Sequence, residues 1–264
     1  MARAFWKGVI SFGMVVIPVR LYVATETRAL SFHVLHKKCL TRPKQVWHCE
    51  KDDEYFPSAE TVRGYEFAKG QYVVLDENDF KKVNIKSSHA INIQGFVEAA
   101  EVDPIYFQNS HYLDPEDVGK KPFILLREAL VKTRRVGVAK VTFQRQEHLC
   151  CLRPLEDIIV LHTMFFHDEI VSKEDLVLPK QAGSRDEMEM ATKLIETMAK
   201  PFHPEEYKDE YHIALKELVD AKLKGVEIKT PEEPRAEIPD LMAALKASLE
   251  ATKKKPARRD VVMA

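Results

Sequence analysis

The chain has no G-x-x-x-x-G-K-[ST] loop, no G-x-G-x-x-G, no G-x-S-x-G and no H-E-x-x-H, and only nine of its 264 residues are glycine. Nucleotide-driven chemistry, an esterase elbow and a metalloprotease helix therefore have no visible seat. Cysteine is scarce too: Cys39, Cys49, Cys150 and Cys151, two of them adjacent. In a chain far longer than a disulfide-stapled mini-domain, that usage predicts reduced thiols. The vicinal pair lies in an apolar stretch, where core packing is the expected role.

An uninterrupted apolar run is also missing. The nearest approach, FWKGVISFGMVVIPVRLY from Phe5 to Tyr22, is broken by Lys7, Gly8, Gly13, Pro18 and Arg20. An export signal needs small residues at its cleavage site, and Tyr22 lies two positions before Ala24. A spanning helix needs roughly 20 apolar residues. What fits is β structure, because Val15, Val16, Ile17, Val19 and Val23 are β-branched and the glycines suit bends. The expected setting is cytoplasmic, with no membrane.

Net charge is only −1, but it is unevenly spread. Residues 1–155 hold 23 Lys and Arg against 18 Asp and Glu, residues 156–250 hold 12 against 22, and residues 251–264 hold 5 against 1. A basic first half, an acidic second half and a basic tail allow one surface to meet phosphates while another repels them.

Up to about Met164 the pattern is of short strands: Gln71–Leu75, His89–Val97, Ile105–Tyr112, Val136–Phe143, His148–Arg153 and Asp157–Thr163. Their spacing suits an antiparallel barrel or sandwich. Asp76 caps a short helix through Val83. Pro122 opens a longer one to about Lys132, with Phe123, Leu126 and Leu130 set to pack on the sheet. From Ser184 the period becomes helical. Ser184 and Glu187 form a capping box, and Met188, Ala191, Leu194, Ile195 and Met198 form a stripe. A second amphipathic helix is expected from Pro204 to Gly225, and both must pack on the barrel, on each other or on a second chain. The linker TPEEPRAEIP, a short apolar helix from Asp240 to about Leu249 and the cationic KKKPARR tail close the chain. The expected division is 1–183 core, 184–229 helical arm and 230–264 linker, docking helix and basic tail.

One cluster has metal-ligand chemistry. His36-x2-Cys39-x9-Cys49-x2-Asp52 has the shape of a two-knuckle zinc site, with His48 as a substitute ligand. Aspartate is uncommon in structural zinc sites and no Cys-x-x-Cys is present. No cofactor is therefore expected, and zinc is the candidate metal for this cluster.

Several blocks occur in an order and spacing that resemble the prokaryotic Ku proteins of DNA non-homologous end joining: AFWKGVISFGMVVIPVRLY, FHVLHKK, VRGYEFAKGQYVVLDENDF, EVDPIYFQNSHYLDP, LLREALVKTRRVGVAKV, EHLCCLRP and PEEYKDEYHIALKELVDAKLKG. The resemblance implies a mixed α+β fold: a Ku-core antiparallel β-barrel with a bridge segment, then a C-terminal helical arm and a flexible tail. It implies a non-enzymatic homodimer that encircles duplex DNA at a broken end, protects it and recruits an ATP-dependent DNA ligase, in the cytoplasm and associated with the nucleoid. Some relatives carry a cysteine where this chain has Asp52, and those are better zinc proteins.

A compact globule of about 230 residues has a radius of gyration near 17 Å, too small to surround a duplex unless chain is drawn out into arms. Two half-rings about a twofold axis solve this, and the aromatic-rich DPIYFQNSHYL is an expected contributor to their interface. A protein that ignores sequence must contact phosphates. The candidates are Arg20, Lys37, Lys38, Arg42, Lys44, Arg63, Lys81, Lys82, Arg134, Arg135, Lys140 and Arg145. The competing readings are a zinc-dependent enzyme at His36, Cys39 and Cys49, and a β-barrel RNA-binding module that stacks bases on aromatics.

Overall fold

The computed structural model describes residues 3–82, 89–143, 146–174, 176, 184–225, 244–248 and 250. The chain divides into two compact units, Met1–Ser172 and Lys173–Ala264.

In the first unit, β1 (Trp6–Phe12) and β2 (Val15–Val23) form an antiparallel hairpin with Phe12 opposite Val15. Gly13, at φ +58°, supplies the left-handed backbone that a two-residue hairpin turn requires. The chain then leaves the barrel for an arm. There β3 (Trp47–Cys49) pairs with β4 (Glu54–Phe56), β5 (Arg63–Ala68) pairs with β6 (Gln71–Leu75), and α1 (Glu77–Lys82) follows. Asp76 caps α1 by accepting from the Asn78 and Asp79 amides at 2.8 Å.

The chain returns as β7 (Ala90–Glu98), β8 (Phe107–Pro115), α2 (Lys120–Thr133), β9 (Arg135–Phe143), β10 (Gln146–Leu155) and β11 (Ile158–Met164). Seven strands close in the order β1-β2-β8-β11-β10-β9-β7. The closing pair, β1 with β7, is parallel, Ile10 facing Ile91, whereas an all-antiparallel barrel was expected. Parallel partners need a long connection, and the arm is that connection.

Alternation along β2 turns Ile17, Val19 and Leu21 inward, where they meet Ile10, Ile91, Leu113, Val141, Leu152, Ile159 and Leu161. Phe123, Leu126 and Leu130 of α2 join this core as expected. A Cβ on Gly119, just before α2, would lie 2.8 Å from the Pro18 carbonyl oxygen, so α2 enters tight against β2. Cys150 and Cys151 are buried; burial pushes both thiols up, Cys151 to about 11. Val136, Cys151 and Met164 form a smaller cluster with Tyr106 and Phe107. The DPIYFQNSHYL segment thus serves mainly as barrel wall, with Ile105 and Tyr112 its exposed large hydrophobics. Its strand begins at Phe107 because Asp103 caps a 3-10 turn over Pro104–Tyr106.

At one end of the barrel His148 stacks on Phe143 at 4.1 Å, and His111 lies 5.1 Å from Phe5 and 6.1 Å from Phe143. Burial lowers the pKa of both histidines below the usual imidazole value. Each binds a proton more readily when unfolded, so the stability from keeping them neutral is full above the unfolded value of about 6.5 and is lost as pH falls toward the folded values. Thermal melts from pH 7.5 to 5 should show a falling Tm. His111→Phe should flatten that dependence; an unchanged slope would show that His111 is not a source of it.

In the second unit α3 (Arg185–Met198) begins at the expected capping box, the Ser184 hydroxyl accepting from the Glu187 amide. The expected second helix starts later than Pro204. A 3-10 turn covers Pro204–Glu206, Tyr207 is extended, and α4 (Glu210–Leu223) is capped by Asp209, which accepts from the His212 amide at 2.8 Å. Neither helix buries a residue within its unit. Residues 244–248, in the second half of the expected docking helix, are helical; the start of that helix at positions 240–243 and the basic tail lie outside the described residues.

Candidate nucleic-acid interface

The arm is where charge and exposure coincide. From residue 24 to 82 no described residue is buried. Residues 24–49 hold five Lys and Arg (Arg28, Lys37, Lys38, Arg42, Lys44) against one acid, Glu26. Among the described residues these five cations make no ion pair. The next acids, Glu50, Asp52, Asp53 and Glu54, belong to the β3–β4 hairpin and form no ion pair with these five among the described residues.

Fifteen large hydrophobic side chains of the same arm are exposed, Phe32, Trp47, Tyr55, Tyr65, Phe67 and Tyr72 among them. The β5–β6 hairpin is solvated on both faces: Tyr65 opposite Val73 on one, Gly64 opposite Val74 on the other. An isolated two-stranded ribbon is marginal in water, and so large an exposed apolar surface marks an interaction site. Arg63 stabilises the hairpin's root, its guanidinium 5.3 Å from the centre of the Phe80 ring.

Other candidates differ in setting. Arg20 on β2 pairs with Asp114 on β8 at 3.2 Å. Lys140 pairs with Glu147 at 2.9 Å and lies over the Phe166 ring at 5.9 Å. Lys82 pairs with Asp79 at 3.0 Å, which holds that carboxyl below its usual value. Lys81 falls on α1, where its side chain is outside the description, and Arg145 lies outside the described residues. Arg134 and Arg135 are exposed at the end of α2, on the barrel rather than the arm. Arg28, Lys51 and Lys69 are also exposed on the arm and were not among the candidates; Arg28 and Lys51 lie outside the blocks that carry the family resemblance, whereas Lys69 lies within VRGYEFAKGQYVVLDENDF.

Arg134 caps α2 at φ +54°, a conformation glycine adopts without cost. Arg134→Gly should therefore raise stability by about 1 kcal/mol, read as a higher urea midpoint at unchanged slope; a lower midpoint would show that the arginine side chain itself holds the fold.

The four metal candidates form two pairs. His36 Nδ1 lies 3.1 Å from Cys39 Sγ, and the Cys49 thiol donates to Asp52 at 3.3 Å. His48 instead pairs with Asp53 at 3.0 Å. Among the described residues no three His, Cys, Asp or Glu side chains are placed to share one ion, so the two pairs stand apart rather than as one four-ligand set. Hydrogen bonds from Thr41 and then His36 lower the Cys39 pKa to about 7.

Comparison with known proteins agrees with this architecture. The Ku70/Ku80 beta-barrel domain family matches residues 11–193. The chain is 39% identical over 261 residues to the "Non-homologous end joining protein Ku" of Solibacter usitatus (strain Ellin6076), covering 97% of this chain and 98% of that protein. It is 41% identical over 255 residues to the protein of the same name from Archaeoglobus fulgidus, covering 95% of this chain and 100% of that one. A closed seven-strand barrel, the family match and relatives aligned almost end to end lead to one conclusion: this chain belongs to the Ku family.

Proposed function

We propose that the protein binds double-stranded DNA ends without regard to sequence, as a ring-shaped homodimer acting in non-homologous end joining. The observation that carries this reading is the arm: a 66-residue excursion between barrel strands β2 and β7, from residue 24 to 89, that buries none of its described residues and presents five cations without an ion-pair partner among the described residues beside exposed aromatics. A single copy gains nothing from exposing that apolar surface. A second copy related by a twofold axis covers it, and the pairing leaves the cations of both arms for phosphates.

Lys37, Lys38, Arg42 and Lys44, with Arg28, are the principal phosphate contacts. Arg63, Lys81 and Lys82 lie further along the arm as secondary ones. Arg20 and Lys140, already paired with carboxylates, contribute least. The protein works as a scaffold with no chemistry and no cofactor of its own, shielding the end and recruiting an ATP-dependent DNA ligase. It acts in the cytoplasm at the nucleoid. The barrel interior is packed with aliphatic side chains, the reverse of a membrane barrel, which turns its apolar residues outward.

The reading is tested by measuring affinity for a plasmid in sealed circular form and after linearisation, with single-stranded RNA as competitor. Tight binding to the linear form alone, undisturbed by the RNA, is expected. Equal affinity for sealed circles would overturn end recognition, and displacement by RNA would favour an RNA-binding module.

A further inference from the structure

A groove of about 420 Å³ runs along α2 on the barrel, and no arm residue lines it. Phe12, Val15, Phe96, Leu125 and Ala129 form its apolar walls, and Arg135 is its one charged lining residue. Its α2 side is built from positions 122, 125, 126, 129, 130 and 133, one face of a helix. Those positions span roughly 16 Å of helix axis. Phe12 and Phe96 meet edge to face at 6.3 Å, which makes the opposite wall an ordered aromatic surface. Met14, at the tip of the β1–β2 hairpin between the lining residues Phe12 and Val15, is fully exposed.

The α2 segment that forms one side of the groove is basic. Residues 120–135 contain six Lys and Arg and one acid, Glu128. Lys120 is held by Asp117 at 2.7 Å, while Arg127 lies 3.8 Å from Glu128 and donates to the Glu156 carbonyl at 2.6 Å. Lys121, Lys132, Arg134 and Arg135 have no ion-pair partner among the described residues. Lys121, Lys132, Arg134 and Arg135 thus give the α2 side of the apolar floor a cationic border, with Glu98 of β7 opposite Arg135 in the strand register.

We propose that this groove docks an amphipathic helix of a second protein, one with large apolar side chains at i, i+4 and i+7 and carboxylates at the end that meets Arg135. A trough parallel to a helix is filled by another helix, and acidic flanks complement the cationic border. Duplex DNA fits poorly, because a phosphate over the apolar floor finds no donor there. A second copy is the rival occupant, because α3 and α4 bury no residue within their unit, and the dimer readout below separates the two. The inference rests on the end-joining reading for its purpose, as a recruitment surface on the barrel, but not for its chemistry.

The probe is a synthetic helical peptide of about 16 residues with leucines at i, i+4, i+7 and i+11 and glutamates at both ends, beside a twin with lysines there. Both are titrated against the full-length protein by fluorescence anisotropy. The acidic peptide should bind at least about tenfold tighter than its twin, and Arg135→Glu should reverse that order. Leu125 is 68% exposed, so Leu125→Glu should fold. It should weaken the acidic peptide at least about tenfold while leaving the oligomeric state and blunt-duplex affinity as in the parent. Ala129→Glu, also at an exposed position, is the second variant.

Equal binding of the two peptides, or binding indifferent to both variants, overturns the proposal. Loss of the dimer in Leu125→Glu would identify a second copy as the occupant, and displacement of the peptide by a short duplex would identify DNA; either result overturns it too. Failure of the end-binding reading is seen separately, as equal affinity of the parent protein for sealed and linear DNA.

Discussion

Replacing Lys37, Lys38, Arg42 and Lys44 together by glutamine is expected to weaken binding to a blunt duplex on the order of 10³-fold at 0.15 M salt. The magnitude follows from counterion release: each phosphate contact adds about 0.9 to the slope of log K against log salt. Four contacts at 0.15 M are then worth roughly three powers of ten relative to 1 M salt, and the slope should fall by about 3.6. That count takes one copy alone, so a dimer using both arms loses more. The four side chains are exposed and make no ion pair among the described residues, so folding should be unchanged. The same substitution at Lys140, which already faces Glu147 at 2.9 Å, should change affinity by less than about fivefold. A salt titration of all three proteins checks this, and equal slopes for parent and quadruple variant would remove the arm from the DNA interface.

Phe67→Asp with Val73→Asp in the β5–β6 hairpin is expected to convert the proposed dimer to monomer. Both side chains are exposed in the single chain, so the barrel should melt as before. At a twofold interface each substitution is felt twice, and a buried aromatic anchor is worth ~2 kcal/mol or more. A loss of at least ~4 kcal/mol raises the dimer dissociation constant about 10³-fold. Sedimentation should show a monomer, with tight end binding lost although every arm cation remains. A dimer of unchanged affinity would place the contact between copies elsewhere.

The barrel was legible in the sequence because its strands are half-buried and alternate. Val136–Phe143 was read one residue short of β9, and Phe123, Leu126 and Leu130 were read as core. The α2 helix begins at Lys120 rather than at Pro122, because the preceding 3-10 turn runs directly into it. On the arm only β6 was read, at its observed bounds Gln71–Leu75, from the consecutive strand formers Tyr72, Val73 and Val74; hairpin β3–β4 and strand β5 lack such a run, and a ribbon exposed on both faces adds no alternation of polar and apolar residues. The parallel closure of β1 on β7 was hidden for another reason: pairing across the long arm leaves no local signature. Selecting the interface by charge alone could not separate Lys37 from Lys140. Their difference is the Glu147 carboxylate brought alongside Lys140 by the β9–β10 register, which only the fold reveals.

The most direct test of the central claim is a trapping experiment on linear duplex. The protein is loaded through free ends, both ends are then blocked with bulky protein caps, and the complex is challenged with high salt and heparin. A threaded ring should remain on the capped DNA for as long as the caps stay in place, and should run off uncapped DNA within the time of mixing. Equal rates of loss from capped and uncapped DNA would contradict it.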